Sequence, residues 1–237
     1  RPRCGVCLDC SRVRGSMADR CDVADAMSIG SYVRHLVGRF RREPPAQLLI
    51  DALGRLGVSI QPFYLFEEFT PAGEPPAVGP ELRSAVVRQL GPEDTQSLAA
   101  VPWRRLTEEF FAARFRKGNG CVGMFDHGQL AAFTWYDLQE CNYEGWRFPL
   151  RDDEAYLFDA FTLAAWRGKG VAPFLRYRVY QILAEQGRTR LFSVSIRTNR
   201  AAVRFKEKLG AKIVGRGWVV ELFGRWRLGS RPPERLS

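Results

Sequence analysis

From residue 84 onward, two kinds of apolar spacing alternate along the chain. Short apolar runs suited to strands exchange with stretches in which apolar residues recur every three or four positions. Ser84–Leu90 reads as a short strand, 92–100 and 103–116 as helices, and 121–125 and 130–137 as strands flanking the Asp-His-Gly turn at 126–128. A polar, aromatic excursion, 136–154, separates these from the apolar strand 155–162. Val171, Phe174, Leu175, Val179, Ile182 and Leu183 mark one face of a helix over 171–185. Strand 191–196, helix 199–209 and two final strands, 211–222 and 223–228, complete the expected order β-α-α-β-β-β-α-β-α-β-β.

The first third is built differently. Met27, Ile29, Val33, Leu36, Val37 and Phe40 have helical spacing over 24–42, and Pro44-Pro45 stops it. A second helix is expected over 46–56, closed by Gly57. VSIQPFYLF, 58–66, reads as extended chain interrupted by Pro62, and the Pro/Gly-rich 70–80 is the best linker. The expected organisation is a Cys-rich segment over 1–21, a helical N-terminal extension with its linker over 22–80, and an α/β domain over 81–237.

Charge sharpens this division. Residues 1–80 hold ten arginines against nine acidic side chains, whereas 81–237 hold 26 Lys and Arg against 17 Asp and Glu. A basic body favours an anionic ligand, a nucleotide, a phosphate or a nucleic acid. No apolar run is long enough to span a membrane, and no secretory leader precedes the first helix, so a cytoplasmic location is expected.

The sharpest local feature is TLAAWRGKGVAPFL, 162–175. It joins a strand to an amphipathic helix through Arg167, Gly168, Lys169 and Gly170, where missing side chains let backbone N–H groups converge on an anion at a helix N-terminus. Pro173 is tolerated only near a helix start, which fixes the turn just ahead of it. Neither a dinucleotide fingerprint nor a P-loop spacing is present.

WRGKGVA, 166–172, together with NRAAVRFKEKLGA, 199–211, resembles the two signatures of the Gcn5-related N-acetyltransferase (GNAT) family, the first matched at Arg167, Gly170 and Ala172. The resemblance implies a mixed, mostly antiparallel central sheet flanked by helices. It also implies acyl-CoA as donor, acetyl-CoA or a longer acyl-CoA, and direct transfer of the acyl group to an amine acceptor. In that family the first loop grips the pyrophosphate, which here gives Arg167, Gly168, Lys169, Gly170, Val171 and Ala172. The preceding strand, 157–162, would splay from its neighbour and offer N–H groups around Phe161 and Leu163 to the pantetheine arm or thioester. Asn199 would cap the following helix and touch that arm.

An acyl thioester is already activated, so the remaining demands are to align the amine, take its proton and stabilise the oxyanion. Asp159, inside an apolar strand, and Glu154, at the strand entrance, are the candidate proton acceptors, with structural ion pairs as the competing reading. Many family members place a tyrosine in the second helix as acid for the leaving thiolate. Here that position is Lys206, whose plainer reading is a solvated helix lysine. Tyr177 and Tyr180 are alternatives only if their helix faces the cleft.

Cys4, Cys7, Cys10 and Cys21 have the spacing of a four-thiolate zinc site or an iron–sulfur cluster. Arg14-Gly15-Ser16-Met17, however, resembles a cloning junction, which makes the preceding segment suspect as native sequence. His35 and His127 lack partners that would define a metal site or triad. The excursion 136–154 is expected either to shape the acceptor pocket or to pack as a lid on residues 1–80. Two other classes stay open: a noncatalytic acyl-CoA-binding protein, and a nucleic-acid-binding module, against which the scattered arginines and missing recognition motif argue.

Overall fold

The computed structural model describes Leu53 and residues 57–69, 74–82, 84–101 and 106–232. The helix expected over 24–42, that over 46–56 apart from Leu53, and the four-cysteine cluster lie outside the described residues.

Apolar runs build an eight-stranded sheet from β1 (Val58–Glu68), β2 (Val86–Leu90), β3 (Gly120–Asp126), β4 (Gln129–Asp137), β7 (Glu154–Thr162), β8 (Arg190–Ile196), β9 (Lys212–Leu222) and β10 (Trp226–Gly229). Their order is β10-β9-β1-β8-β7-β4-β3-β2. Among the described residues β7 and β8 form the one parallel pair, and every other neighbour is antiparallel. The mixed, mostly antiparallel sheet expected from sequence is therefore present. The excursion after β4 folds as a hairpin, β5 (Glu140–Tyr143) with β6 (Trp146–Pro149).

Among the described residues the sheet is flanked by α1 (Thr95–Ala99), α2 (Glu108–Arg116), α3 (Val171–Glu185) and α4 (Arg200–Lys208). β4 is buried from Leu130 to Asp137 because both its faces are covered. Ala132 and Tyr136 pack with Val171, Leu175 and Val179 of α3, whereas Phe133 and Trp135 pack with Leu98 of α1 and Phe111 of α2. The Asp-His-Gly turn closes β3 onto β4 with positive φ at both His127 (48°) and Gly128 (77°), as a two-residue hairpin of right-handed twist requires.

The stretch 58–66, placed with the N-terminal extension on sequence grounds, is an interior strand. β1 pairs with β8 on one side, Phe63 opposite Ile196 through Glu68 opposite Leu191, and with β9 on the other. Its alternation splits it between two layers. Phe63 and Leu65 meet Tyr143 and Trp146 of the β5–β6 hairpin, with Phe63 edge-on to both rings at 5.0 Å, while Glu68 turns to the α3 face. Tyr143 Oη also donates to Gln61 Oε1 at 3.1 Å. The excursion thus packs on residues of the first third.

Candidate functional site

The parallel pair β7 and β8 is short. Glu154 to Leu157 pair with Arg190 to Ser193, and beyond Leu157 the two strands separate. On its other edge β7 stays attached to β4, but with a bulge: Phe133 faces Phe161 and Trp135 faces Phe158, so Thr134 stands against both Asp159 and Ala160. Asp159 absorbs the extra residue with φ 49°, a left-handed conformation that Asp tolerates better than most residues. The sheet is therefore open at its centre, beside a kinked strand.

Cavities lead to that opening from both faces. On the α3 side one is lined by Phe161, Thr162, Ala172, Arg176 and Phe205. It shares Ala160 and Arg176 with the space between the strands, which Leu157, Val194 and Lys206 also line. Across the sheet lies a cleft of about 860 Å³, partly open to solvent, walled by α2, β4 and the β5–β6 hairpin. Tyr143, Tyr156, Phe158 and Asp159 belong to both that cleft and the central space. The three spaces thus share wall residues at the opening, Ala160 on the α3 side and Asp159 on the side of the cleft.

The glycine-rich turn precedes Ala172, which lines the α3-side cavity. Gly168 and Gly170 have φ of 79° and 77°, and Gly170 is the N-cap of α3. The N–H groups of Val171 and Ala172 open the helix, where no preceding turn can accept them. Arg167 Nε donates to the Thr162 carbonyl at 3.0 Å, and its guanidinium lies 5.5 Å from the centre of the Phe161 ring. This donor set, backbone N–H groups at a helix N-terminus beside Arg167 and Lys169, suits a pyrophosphate.

Residues 77–79 brace the turn from outside. Gly79 N–H donates to the Lys169 carbonyl at 3.0 Å, and a Cβ on Gly170 would overlap the Ala77 carbonyl oxygen. Gly170→Val is therefore expected to lose stability by about 1–3 kcal/mol through backbone strain and displacement of this brace. Coenzyme A affinity should fall about tenfold or more with it, since the same backbone shapes the anion cradle. Thermal melts and calorimetry read the two losses separately; unchanged affinity in the folded variant would remove the loop from the donor site.

Of the strand N–H groups expected to face the donor, that of Leu163 does not. It donates to the Ala131 carbonyl of β4 at 2.9 Å. Because N–H direction alternates along a strand, Phe161 shares that edge, and the backbone of Ala160 and Thr162 faces the opening instead. The bulge was not visible in the sequence, so the phase of the strand was set one residue off. Phe161 contributes its ring, stacked 6.0 Å from Phe133 in the cavity wall. Asn199 is the N-cap of α4, its Oδ1 accepting from Ala202 N–H at 3.1 Å.

A buried polar cluster lies under the opening, and sequence reasoning missed most of it. Glu68 of β1 accepts from the hydroxyls of Tyr180 and Ser193 and pairs with Arg176 of α3. Lys206, read as solvated, is 2% exposed: its Nζ donates to the Val194 carbonyl at 3.0 Å and sits over the Phe66 ring. Burial alone would raise the Glu68 carboxyl, but the charges of Arg176 and Lys206 and the two hydroxyls hold it below its ordinary value. Burial, reinforced by the Glu68 charge, pushes the Tyr180 hydroxyl far upward, so it remains a hydrogen-bond donor.

On the opposite face Asp159 forms an ion pair with Arg114 of α2. The Arg114 guanidinium sits among the Phe110, Trp135 and Phe158 rings at 4.6, 5.0 and 5.2 Å. Asp159 is 3% exposed yet lines both the cleft and the central space. Its ion pair and its place at the cleft, alternatives in the sequence, occur together. Glu154 is elsewhere, where β7 and β8 are still paired: it accepts from Arg151 N–H at 2.9 Å and from Arg190 Nη1 at 3.2 Å. Five residues along a strand separate it from Asp159, roughly 17 Å, too far to share one proton.

Residues 86–211, more than half of the chain, match the Acetyltransferase (GNAT) family. The chain belongs to this family. No curated protein matches it in sequence. Among solved structures it is similar to a tandem GNAT protein from the clavulanic acid biosynthesis pathway, with a TM-score of 0.51 and 14% identity over 81% of this chain and 61% of that one. A Drosophila protein gives a TM-score of 0.50 and 15% identity over 75% and 57%. The chain spans less than two thirds of the length of either. At these identities the likeness shows the GNAT fold alone.

Within the GNAT chain, β1 lies outside the matched span, so Glu68 comes from a strand that the family signatures do not cover. Cys121 and Cys141 are buried thiols, and burial pushes both well up, which keeps them protonated. Among the described residues no cluster of His, Cys, Asp and Glu could hold a metal ion, and no helix is long and apolar enough to cross a membrane.

Proposed function

We propose that this GNAT chain is an N-acyltransferase that moves an acetyl or longer acyl group from acyl-CoA directly to an amine. One observation carries the reading: the sheet opens between β7 and β8 beyond Leu157, and its walls share Ala160 with the cavity at the start of α3 and Asp159 with the cleft on the other face. Such an opening lets a donor and an acceptor meet in line without a covalent enzyme intermediate, so positioning and charge stabilisation do most of the work.

On the donor side, Arg167, Gly168, Lys169, Gly170, Val171 and Ala172 hold the pyrophosphate, and the free edge of β7 at Ala160 and Thr162 guides the arm toward the thioester position. Asn199 keeps the mouth of α4 in place beside it. On the acceptor side, Asp159 receives the amine proton, directly or through water, while Arg114 fixes its orientation. Glu154 holds the β7 entrance and takes no part in transfer. The Tyr143 and Tyr156 rings in the cleft wall suit a cationic or amine-bearing acceptor, while Asp137 and Glu144 there are paired with Lys117 and Arg227.

Calorimetry with coenzyme A, followed by a mixed amine library incubated with acetyl-CoA and longer acyl-CoAs, tests the reading. Micromolar binding and the appearance of acylated amine with free thiol are expected. Tight binding without any product would favour the noncatalytic acyl-CoA-binding alternative.

A further inference from the structure

Arg176 stands where the α3-side cavity meets the space between β7 and β8, and it lines both. It is 4% exposed. Its Nε lies 3.3 Å from Glu68 Oε2, an ion pair not aligned as a hydrogen bond, and its Nη1 has no hydrogen-bond partner among the described residues. A buried donor left without a partner is costly, and a guanidinium cannot escape the cost by losing its proton.

Arg176 and Lys206 share one carboxylate, Glu68, and the Tyr180 and Ser193 hydroxyls that also bind Glu68 carry no charge. Lys206 is directed to the Val194 carbonyl. Asp159 also faces this space and forms an ion pair with Arg114. Arg176 Nη1 therefore stands beside the opening as an uncommitted guanidinium donor. The arrangement is complementary to an anion that forms there.

Resting on the acyl-CoA reading above, we infer that Arg176, oriented by Glu68, is a catalytic cation that stabilises the departing coenzyme A thiolate. The amine nitrogen bonds to the thioester carbon, and the carbonyl electrons move to oxygen. On collapse the C–S bond breaks, sulfur leaves with the electron pair as a thiolate, and the proton lost by nitrogen passes to solvent by way of Asp159. No proton need be given to sulfur, because an aliphatic thiol is far more acidic than an alkylammonium. Fixed positive charge is sufficient, as it is for thiolates beside Arg or Lys in proteins. Tyr180 cannot take this part, since its hydroxyl is spent on Glu68. Glu68 is a positioning residue: it acts only through Arg176.

The test needs no knowledge of the acceptor. The thiol of coenzyme A bound to the full chain is titrated by thiolate absorbance, and the affinities of coenzyme A and desulfo-coenzyme A are compared by calorimetry across the same pH range. The bound thiol is expected to titrate about one pH unit or more below the free one, so that the thiolate form binds about tenfold tighter than the thiol. Arg176→Met should erase that shift while leaving desulfo-coenzyme A affinity within about twofold, because Glu68 and Lys206 then remain as a neutral pair. Should that variant not fold, Arg176→Lys keeps the charge, loses the fork and should show a reduced shift. A bound thiol that titrates at or above the free value in the unaltered chain overturns the inference, as does a full shift in folded R176M. Failure of both ligands to bind removes the donor reading itself, and this inference with it.

Discussion

Glu68→Leu is expected to destabilise the fold by about 3–5 kcal/mol, the cost of leaving buried charge without its partner. That is a large part of the roughly 5–15 kcal/mol available to a domain of this kind. The change strands Arg176 and Lys206, 4% and 2% exposed, with no carboxylate between them, and takes the acceptor from the Tyr180 and Ser193 hydroxyls. Glu68→Gln keeps an acceptor for both hydroxyls and should cost less. Combining E68L with Arg176→Met and Lys206→Met should recover most of the loss, since an apolar replacement of the whole cluster leaves no orphan charge.

The same carboxylate fixes a pH dependence. Its folded-state value is held below the ordinary 4.5, so its contribution is fully present above the unfolded value and is lost as pH falls through the folded one. Urea melts from neutral pH down to strongly acidic buffer should show stability declining on that limb, and E68L should flatten it. A flat acid limb in the unaltered chain would mean that Glu68 is not the charge that binds this cluster together.

What the sequence disclosed and what it withheld follow from the range of each interaction. Local patterns sufficed for α3, the glycine turn and the β3–β4 hairpin, because helical periodicity, φ > 0 glycines and the Asp-His-Gly turn are written within a few residues. β1 reads as extended chain but falls outside the α/β domain because the Pro/Gly-rich 70–80 reads as a linker, and Pro62 also speaks against an interior strand. In the fold Pro62 sits beyond the last β1–β8 pair, and its carbonyl accepts from Arg197 N–H at 2.8 Å. The edge that lacks an N–H therefore faces the end of β8 rather than a ladder. Glu68 closed an apolar run like a surface residue, and Lys206 stood in a Lys-Glu-Lys stretch that reads as solvated. Their partners come from other elements, Arg176 and Ser193 for Glu68 and Val194 for Lys206, so no window of sequence contains the cluster. The bulge at Asp159 depends on the register between β4 and β7, which alternation alone does not set.

Asp159→Asn is the change expected to separate transfer from binding. Asparagine accepts the left-handed backbone that Asp159 holds at φ 49°, so the bulge should survive, and its amide oxygen can still accept from Arg114. Stability should fall by only about 1–3 kcal/mol, the range for losing one side of a charge-assisted hydrogen bond. Arg114 remains held by the Phe110, Trp135 and Phe158 rings. Asp159 does not line the α3-side cavity, so coenzyme A affinity should stay within about threefold while kcat falls about 10²–10³-fold, as expected for a lost proton acceptor. Arg114→Met supplies the control: it frees Asp159 from its ion pair without removing the carboxylate, so its turnover loss should be smaller even though its stability loss is larger. If D159N folds and turns over like the unaltered chain, Asp159 serves only to pin β7 to α2, and the amine proton leaves through water held by the cleft.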